Sequence, residues 1–343
     1  MVAVGALDGC VAGSEPAAGG AVDGWEDGRD DGSVMFRDAS TAALTRPEPY
    51  PVSVTAPVFL ITPETLEPTG AATTATPGAR LTLTGPEAHH AVSVRRLHPG
   101  ERVDLVDGRG LRLVCEVTDA AADGGRRERL GVQVVQRIQE PDAGLKLVLV
   151  QALAKGGRDE QAIETATEVG ADLVVPWWAE RCVAVWRGVK AIRGRQRWQA
   201  AAREAAKQSR RARVPEIAEL LTTAELSGWV RQVCEAGGTV LVLHEEATRP
   251  IGDAALPETR SGAGASEAAG TTEGDPREGA GGAGEAPVLA VVVGPEGGIS
   301  DTEVDALEDA GARTVRLGPH VLRTASAGPV ALAVLAQRTG LWG

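Results

Sequence analysis

The pattern of apolar and polar positions changes character near Pro141. Before it, from residue 58, short runs alternate apolar and polar side chains: RLTLTG, ERVDLVDG, LRLVCEVTD and LGVQVVQRI. Period-two alternation bounded by turn residues, here Pro99-Gly100 and Asp107-Gly108, predicts strands with one buried face. Their succession predicts a small β-barrel or sandwich, with DAAADGGRRER (119–129) as a surface loop. Structure is expected to begin at APVFLI (56–61).

Beyond Pro141, continuous apolar runs take turns with amphipathic stretches. LKLVLVQAL (145–153) predicts a buried strand, GRDEQAIETATEVG (157–170) a helix ending at Gly170, and DLVVPWW (172–178) a second strand. A long helix is expected over about 194–212, stopping before Val214-Pro215. GTVLVLHEE (238–246) and PVLAVVVGPEGG (287–298) predict strands, the latter followed by a helix over 301–310. ARTVRLG (312–318) and ASAGPVALAVLAQRTG (325–340) complete the series as strand and helix. Such alternation implies an α/β fold with a mostly parallel sheet.

Two segments carry no sustained apolar period. Residues 1–55 are rich in Gly, Ala and Asp, and 257–287 are low in complexity between two strands; both are expected to be disordered. They also correct the first impression given by charge. The net charge is −12, but these segments contribute −10 of it, so the remainder is nearly neutral. Within it, residues 186–213 hold ten Lys and Arg against one acid, Glu204, too strong a concentration for an ordinary solvated face. Phosphate contact explains it better. Arg210 and Arg213 fall three apart on a helix and so share a face, as do Arg203 and Lys207.

Other classes fall away. The cysteines (Cys10, Cys115, Cys182, Cys234) stand far apart with no CxxC pair, against a zinc site or a disulfide scaffold and in favour of a reducing cytoplasm. No run approaches the ~18 apolar residues of a membrane span, and no basic n-region marks a signal peptide. No metal is expected.

Candidate chemistry concentrates at VVVGPEGGIS (291–300), where a strand enters a glycine-rich turn and a Ser300/Glu303 capping pattern opens a helix. The turn lacks the Gly-Lys-Ser/Thr of a phosphate loop and the GxGxxG of a dinucleotide site, and Glu296 would repel a phosphate. A ligand with a cationic centre or hydrogen-bond donors suits it better. A second loop, LGPHVLRTASAG (317–328), also leaves a strand and enters a helix, which suggests one shared pocket.

GPEGG followed by LG…VLRT resembles the cofactor cradle of the SPOUT methyltransferases, whose C-terminal chain forms a trefoil knot that binds S-adenosyl-L-methionine. ETATEVGADLVVPWWAERCVAV, REAAKQSRRARVPEI and HHAVSVRRLHPGERVDLVDG are similar to the RsmE family, the 16S ribosomal RNA uracil-N3 methyltransferases, over about 58–256 and 288–343. The resemblance implies a PUA-like β-barrel at 56–142, a knotted domain at 143–343, a homodimer, and 16S rRNA or the small ribosomal subunit as partner. It implies cofactor contacts from Leu243, His244, Gly294, Glu296, Gly297, Gly298, Leu317, Gly318, Val321, Leu322, Thr324 and Ala327. For RNA it implies Arg95, Arg96, Arg181, Arg203, Lys207, Gln208, Arg210, Arg211 and Arg213.

The N3–H of uracil is a weak acid, so methylation there needs the resulting anion stabilised, and Arg323 in the second loop is the candidate for that role. Glu296 is expected to fix its loop by accepting backbone hydrogen bonds. RTASA (323–327) departs from the family's Arg-Thr-Glu-Thr-Ala, which keeps open a rival reading: a non-catalytic RNA-binding ribosome-assembly protein with a degenerate knot domain. A methyltransferase acting on tRNA is a further alternative.

Overall fold

The computed structural model describes residues 56–121, 128–258 and 286–342. The disorder expected over 1–55, and over all but the ends of 257–287, lies outside these residues. So does the middle of the 119–129 loop.

The first half is a six-stranded sheet. Its elements are β1 (Val58–Leu60), β2 (Leu66–Glu67), β3 (Arg80–Leu83), helix α1 (Gly85–His89), β4 (Arg102–Val106), β5 (Leu111–Ala121) and β6 (Arg129–Gln139). A π-helical turn, His90–Val94, follows α1 directly. The strand order is β1-β4-β5-β6-β3-β2, antiparallel except for β1 with β4. All six strands send side chains into one core, among them Phe59, Leu66, Leu83, Leu105, Leu113 and Val132.

The second half contains β7 (Lys146–Ala152), α2 (Arg158–Val169), β8 (Leu173–Trp178), α3 (Val189–Gln208), β9 (Glu216–Ile217), β10 (Leu221–Thr222) and α4 (Thr223–Glu235). It continues with β11 (Thr239–Leu243), β12 (Val288–Val293), α5 (Asp301–Asp309), β13 (Arg313–Val315) and α6 (Thr324–Arg338). The strands form a parallel sheet in the order β10-β8-β7-β12-β11-β13, with β9 beside β8. Both faces are covered, which is why these strands read as unbroken apolar runs. Leu147 and Leu149 of β7 pack with α2, α3 and α6, whereas Val148 and Val150 pack with α4 and α5. Helix α4 was not expected, although Thr222 and Glu225 form a full capping box at its start.

Helix α3 differs most from expectation. It begins at Val189 and stops at Gln208, four residues short, because Arg210 turns left-handed at φ 59° and the Arg211 amide returns to the Ala206 carbonyl. Arg210 and Arg213 therefore share no helix face. The chain beyond is stitched to the first half: Gly110 donates to Ala212 O, Val214 to Gly108 O, and Arg213 to the Glu140 and Pro141 carbonyls. Beneath lies buried Arg112 on β5, whose guanidinium donates to Asp104 Oδ2 (2.7 Å), Glu140 Oε1 (3.1 Å) and Arg210 O (2.8 Å).

Asp159 in the first turn of α2 is buried and accepts from Trp198 Nε1 of α3 at 3.3 Å. Burial, assisted by the Glu160 charge, pushes its carboxyl up to about 6. A carboxyl raised in the fold favours folding at low pH and loses that contribution as pH rises through the folded value. Asp159→Asn is therefore expected to raise Tm at pH 8, with the gain shrinking to nothing as the pH approaches 4. Thermal melts across that range check it; a gain independent of pH would show that Asp159 does not titrate there.

Candidate cofactor pocket and nucleic-acid face

In the parallel sheet, β12 lies between β7 and β11, so the loops leaving β11, β12 and β13 gather at one carboxyl edge. Open α/β sheets bind ligands at such edges. A cavity of about 590 Å³ opens there. Of the residues expected at the cofactor, Leu243, His244, Gly294, Glu296, Gly298, Leu317, Gly318, Val321, Leu322, Thr324 and Ala327 all line it, as does Arg323.

Gly297 does not. A Cβ built there would come within 3.1 Å of Arg181 Cβ, so this glycine packs behind the turn rather than facing the cavity. Arg181 in turn donates to Gly297 O at 3.2 Å, bracing the turn from outside. At Gly318, by contrast, nothing lies within 4 Å of a built Cβ. Gly318 lines the cavity, and a side chain added there would meet open space rather than protein.

Two buried side chains, Thr324 and Gln151, tie the two loops together. Thr324, in the first turn of α6, donates from Oγ1 to Gly294 O (2.9 Å) and accepts from Gln151 Nε2 (3.0 Å) at the end of β7. Sequence reading missed Gln151, because a lone polar residue ending an apolar strand gives no periodic signal. Arg158, Arg316 and His320 also line the cavity and were missed. Glu296 fixes its loop as expected: its Oε1 accepts from Lys155 N (3.1 Å) and Arg158 Nη1 (2.9 Å). Partial burial opposes ionisation there, but the amides of Glu296 and Lys155 and the Arg158 guanidinium together hold the carboxyl below its ordinary value. His244 finishes its strand, with its amide on Val315 O, and also lines the cavity.

Arg323 is exposed at the mouth, and its guanidinium pairs with no described residue. Its carbonyl accepts from the amides of Ser326 and Ala327, which opens α6. Ala325, where the sequence departs from the family pattern, is buried and lines no part of the cavity.

The basic stretch proves divided. Arg203 and Gln208 are exposed on α3, and Arg95 and Arg96 are exposed beyond the π turn. Several expected RNA contacts are instead spent on the protein. Lys207 is nearly buried and bridges Glu87 of α1 (2.9 Å) and Glu204 (3.1 Å). Arg211 donates to the carbonyls of Thr167, Gly170 and Ala171, capping the end of α2. Arg213 holds Asp142 as well as its two carbonyls. Half-buried Arg210 lies close enough to Asp104 to draw its carboxyl downward against the larger effect of burial. Among the described residues, no group of three or more His, Cys, Asp or Glu could hold a metal, and no helix is long and apolar enough to cross a membrane.

Comparison with known proteins accords with this geometry. An RNA methyltransferase domain family matches residues 141–336, and an RNA methyltransferase PUA domain family matches 83–124. The chain is 44% identical to ribosomal RNA small subunit methyltransferase E of Mycobacterium bovis, over 77% of this chain and 89% of that protein. It is 28% identical to the protein of that name from Bacillus subtilis, over 76% and 90%. The crystal structure of the Neisseria gonorrhoeae protein of that name, bound to S-adenosyl methionine, superposes with a TM-score of 0.63 at 22% identity, covering 82% of this chain and 98% of that one. At that identity the likeness shows the fold.

Proposed function

The chain belongs to the ribosomal RNA small subunit methyltransferase E family, and on that premise we propose that it methylates N3 of a uridine in 16S rRNA at the cavity lined by Gly294, Gly318 and Arg323. S-adenosyl-L-methionine is the methyl donor. The observation that carries this reading is the joining of both expected loops into one cavity by the Gln151–Thr324–Gly294 hydrogen bonds. The open space beside Gly318 in the cavity lining leaves room for a ligand held against backbone.

Bound there, the cofactor supplies an electrophilic methyl group. The chain supplies position and charge. Gly294 and Gly298 of the loop after β12, with Gly318 of the second loop, would hold the cofactor against backbone. The unpaired Arg323 guanidinium holds the uracil anion left when N3 loses its proton. Glu296 serves to fix its loop, its Oε1 accepting from Arg158 and the Lys155 amide, and solvent is the acceptor proposed for this proton. Exposed Arg203, Arg95 and Arg96 supply positive charge toward the RNA backbone, and the target base must be unpaired or flipped to present N3.

The domain division 56–142 and 143–343, and the trefoil knot, belong to the same reading. In support of a knot, the 249–251 backbone pairs with Arg316, through Arg316 N to Arg249 O and Ile251 N to Arg316 O. Arg338 of α6 then holds the Ile251 and Ala254 carbonyls, so this loop is bonded both to the end of β13 and to α6. Homodimerisation is supported by exposed Val183, Val189 and Ile192, each more than 60% accessible; light scattering at twice the chain mass tests it. The site of action would be the cytoplasm, where small subunits mature.

Gly318→Val is expected to abolish S-adenosylmethionine binding with little change in Tm, because the added side chain enters open cavity. Calorimetry and a thermal melt check this, and normal binding by the variant would place the cofactor elsewhere. Mass spectrometry of 16S rRNA from a deletion strain, searching for the lost methyluridine, tests the reaction itself.

A further inference from the structure

The helix ends carry an anomaly. Helices α2, α4 and α5 close alike: a left-handed glycine stands at the cap of α2 and directly after the caps of α4 and α5, and the next amide reaches back to a carbonyl in the last turn. These are Gly170 (φ 122°, Ala171 N to Ala166 O), Gly237 (φ 83°, Gly238 N to Val233 O) and Gly311 (φ 106°, Ala312 N to Leu307 O). Glycine belongs in this slot because a Cβ is strained there. Two helical ends place arginine in it instead, Arg210 (φ 59°) and Arg96 (φ 55°), the only non-glycine residues with positive φ among those described.

For Arg210 the protein itself supplies the reason. Its carbonyl is gripped by Arg112, and its guanidinium serves the buried Asp104. Arg96 has no such account. It is exposed, and its side chain pairs with no described residue. Yet its backbone is over-determined. The Arg95 amide closes the π turn on His90 O (2.8 Å), the Leu97 amide returns to Ala91 O (3.1 Å), and Ala91 and Leu97 are both anchored in the core. π turns and strained non-glycine backbone both concentrate at functional sites. Here they coincide on adjacent residues.

We propose that Arg96 is held in the glycine slot for its side chain, as a preset guanidinium clamp for an RNA phosphate, while its neighbour Arg95 contributes only general positive charge. The inference rests on the RNA-methyltransferase reading and adds to it a specific contact, rigidly presented from the π turn rather than borne on a mobile side-chain run. A planar guanidinium can take a phosphate in two parallel hydrogen bonds. Fixing its Cα in advance reduces the ordering left to be done on binding.

The test sets stability against binding. Arg96→Gly and Arg96→Asn, both at ease in left-handed backbone, should keep or raise Tm while weakening RNA severalfold. In salt titrations with oligouridylate and oligoadenylate of equal length, the slope of log affinity should flatten by roughly 0.7 for both RNAs. Arg95→Gln should flatten it distinctly less. Parental slopes in both Arg96 variants would overturn the proposal. So would a lowered Tm in both, which would mean that the side chain serves the fold, or an equal effect from Arg95→Gln. Cofactor affinity, measured in parallel, should stay parental. A parent protein that fails to bind S-adenosylmethionine would sink the methyltransferase reading while leaving the salt-slope comparison to decide on Arg96.

Discussion

Arg323→Ala is expected to slow methyl transfer by about 10²–10³-fold at saturating RNA and cofactor, the usual consequence of removing one electrostatic donor from a developing anion. The guanidinium lines the cavity, and no described residue neutralises it. Its backbone, by contrast, only opens α6 through the Ser326 and Ala327 amides, which alanine would preserve. The loss should therefore fall on the chemical step, with cofactor affinity by calorimetry changing far less than turnover. Single-turnover methylation of a uridine-containing RNA separates the two. Unchanged turnover would remove Arg323 from the reaction and leave the anion to Arg316 or His320, which share the cavity.

The second large effect concerns stability. Arg112→Met should cost about 3–5 kcal/mol, since it leaves the buried Asp104 carboxylate without its cation. Asp104 is 2% exposed and already titrates above its usual range because of burial, with Arg112 and Arg210 pulling the other way. Without Arg112 it is pushed further up. The deficit should then be greatest near neutral pH and shrink as the pH falls and Asp104 takes up a proton. Urea denaturation at two pH values measures this, and Arg112→Met with Asp104→Leu should recover much of the loss. A pH-independent deficit would mean that Arg112 acts mainly through the Arg210 carbonyl.

How far this could be foreseen differs between the two surfaces. The cavity was legible because backbone makes it: glycines and small residues between a strand and a helix announce close approach wherever they occur, and Gly294, Gly298 and Gly318 all face the space. Gly297 reads identically in sequence yet packs on Arg181, a distinction that only three-dimensional neighbours can draw. The basic helix was legible as a concentration of charge but not as a set of free charges. Lys207, Arg211 and Arg213 look like Arg203 along the chain; the acids and carbonyls that claim them come from Glu87, the end of α2 and the 140–142 segment, all distant in sequence. The early end of α3 was hidden for a related reason. Its stop signal stands in the form of an arginine, and nothing about Arg210 announces a left-handed turn until Arg112 is seen holding its carbonyl.

The flanks of the low-complexity segment have a practical use. Pro287 is tied by its carbonyl to the Lys146 amide at the start of β7, and Val288 begins β12, so the chain rejoins the sheet at its amino edge. On the other side, Ala254 is pinned to Arg338 near the end of α6. The Pro287 attachment stands a strand length from the carboxyl edge where the cavity opens. An affinity tag or fluorophore spliced between residues 258 and 286 would thus leave the chain, on its Pro287 side, at the edge of the sheet opposite the cavity, giving an internal labelling port for following the enzyme on ribosomal particles while both chain termini stay untouched.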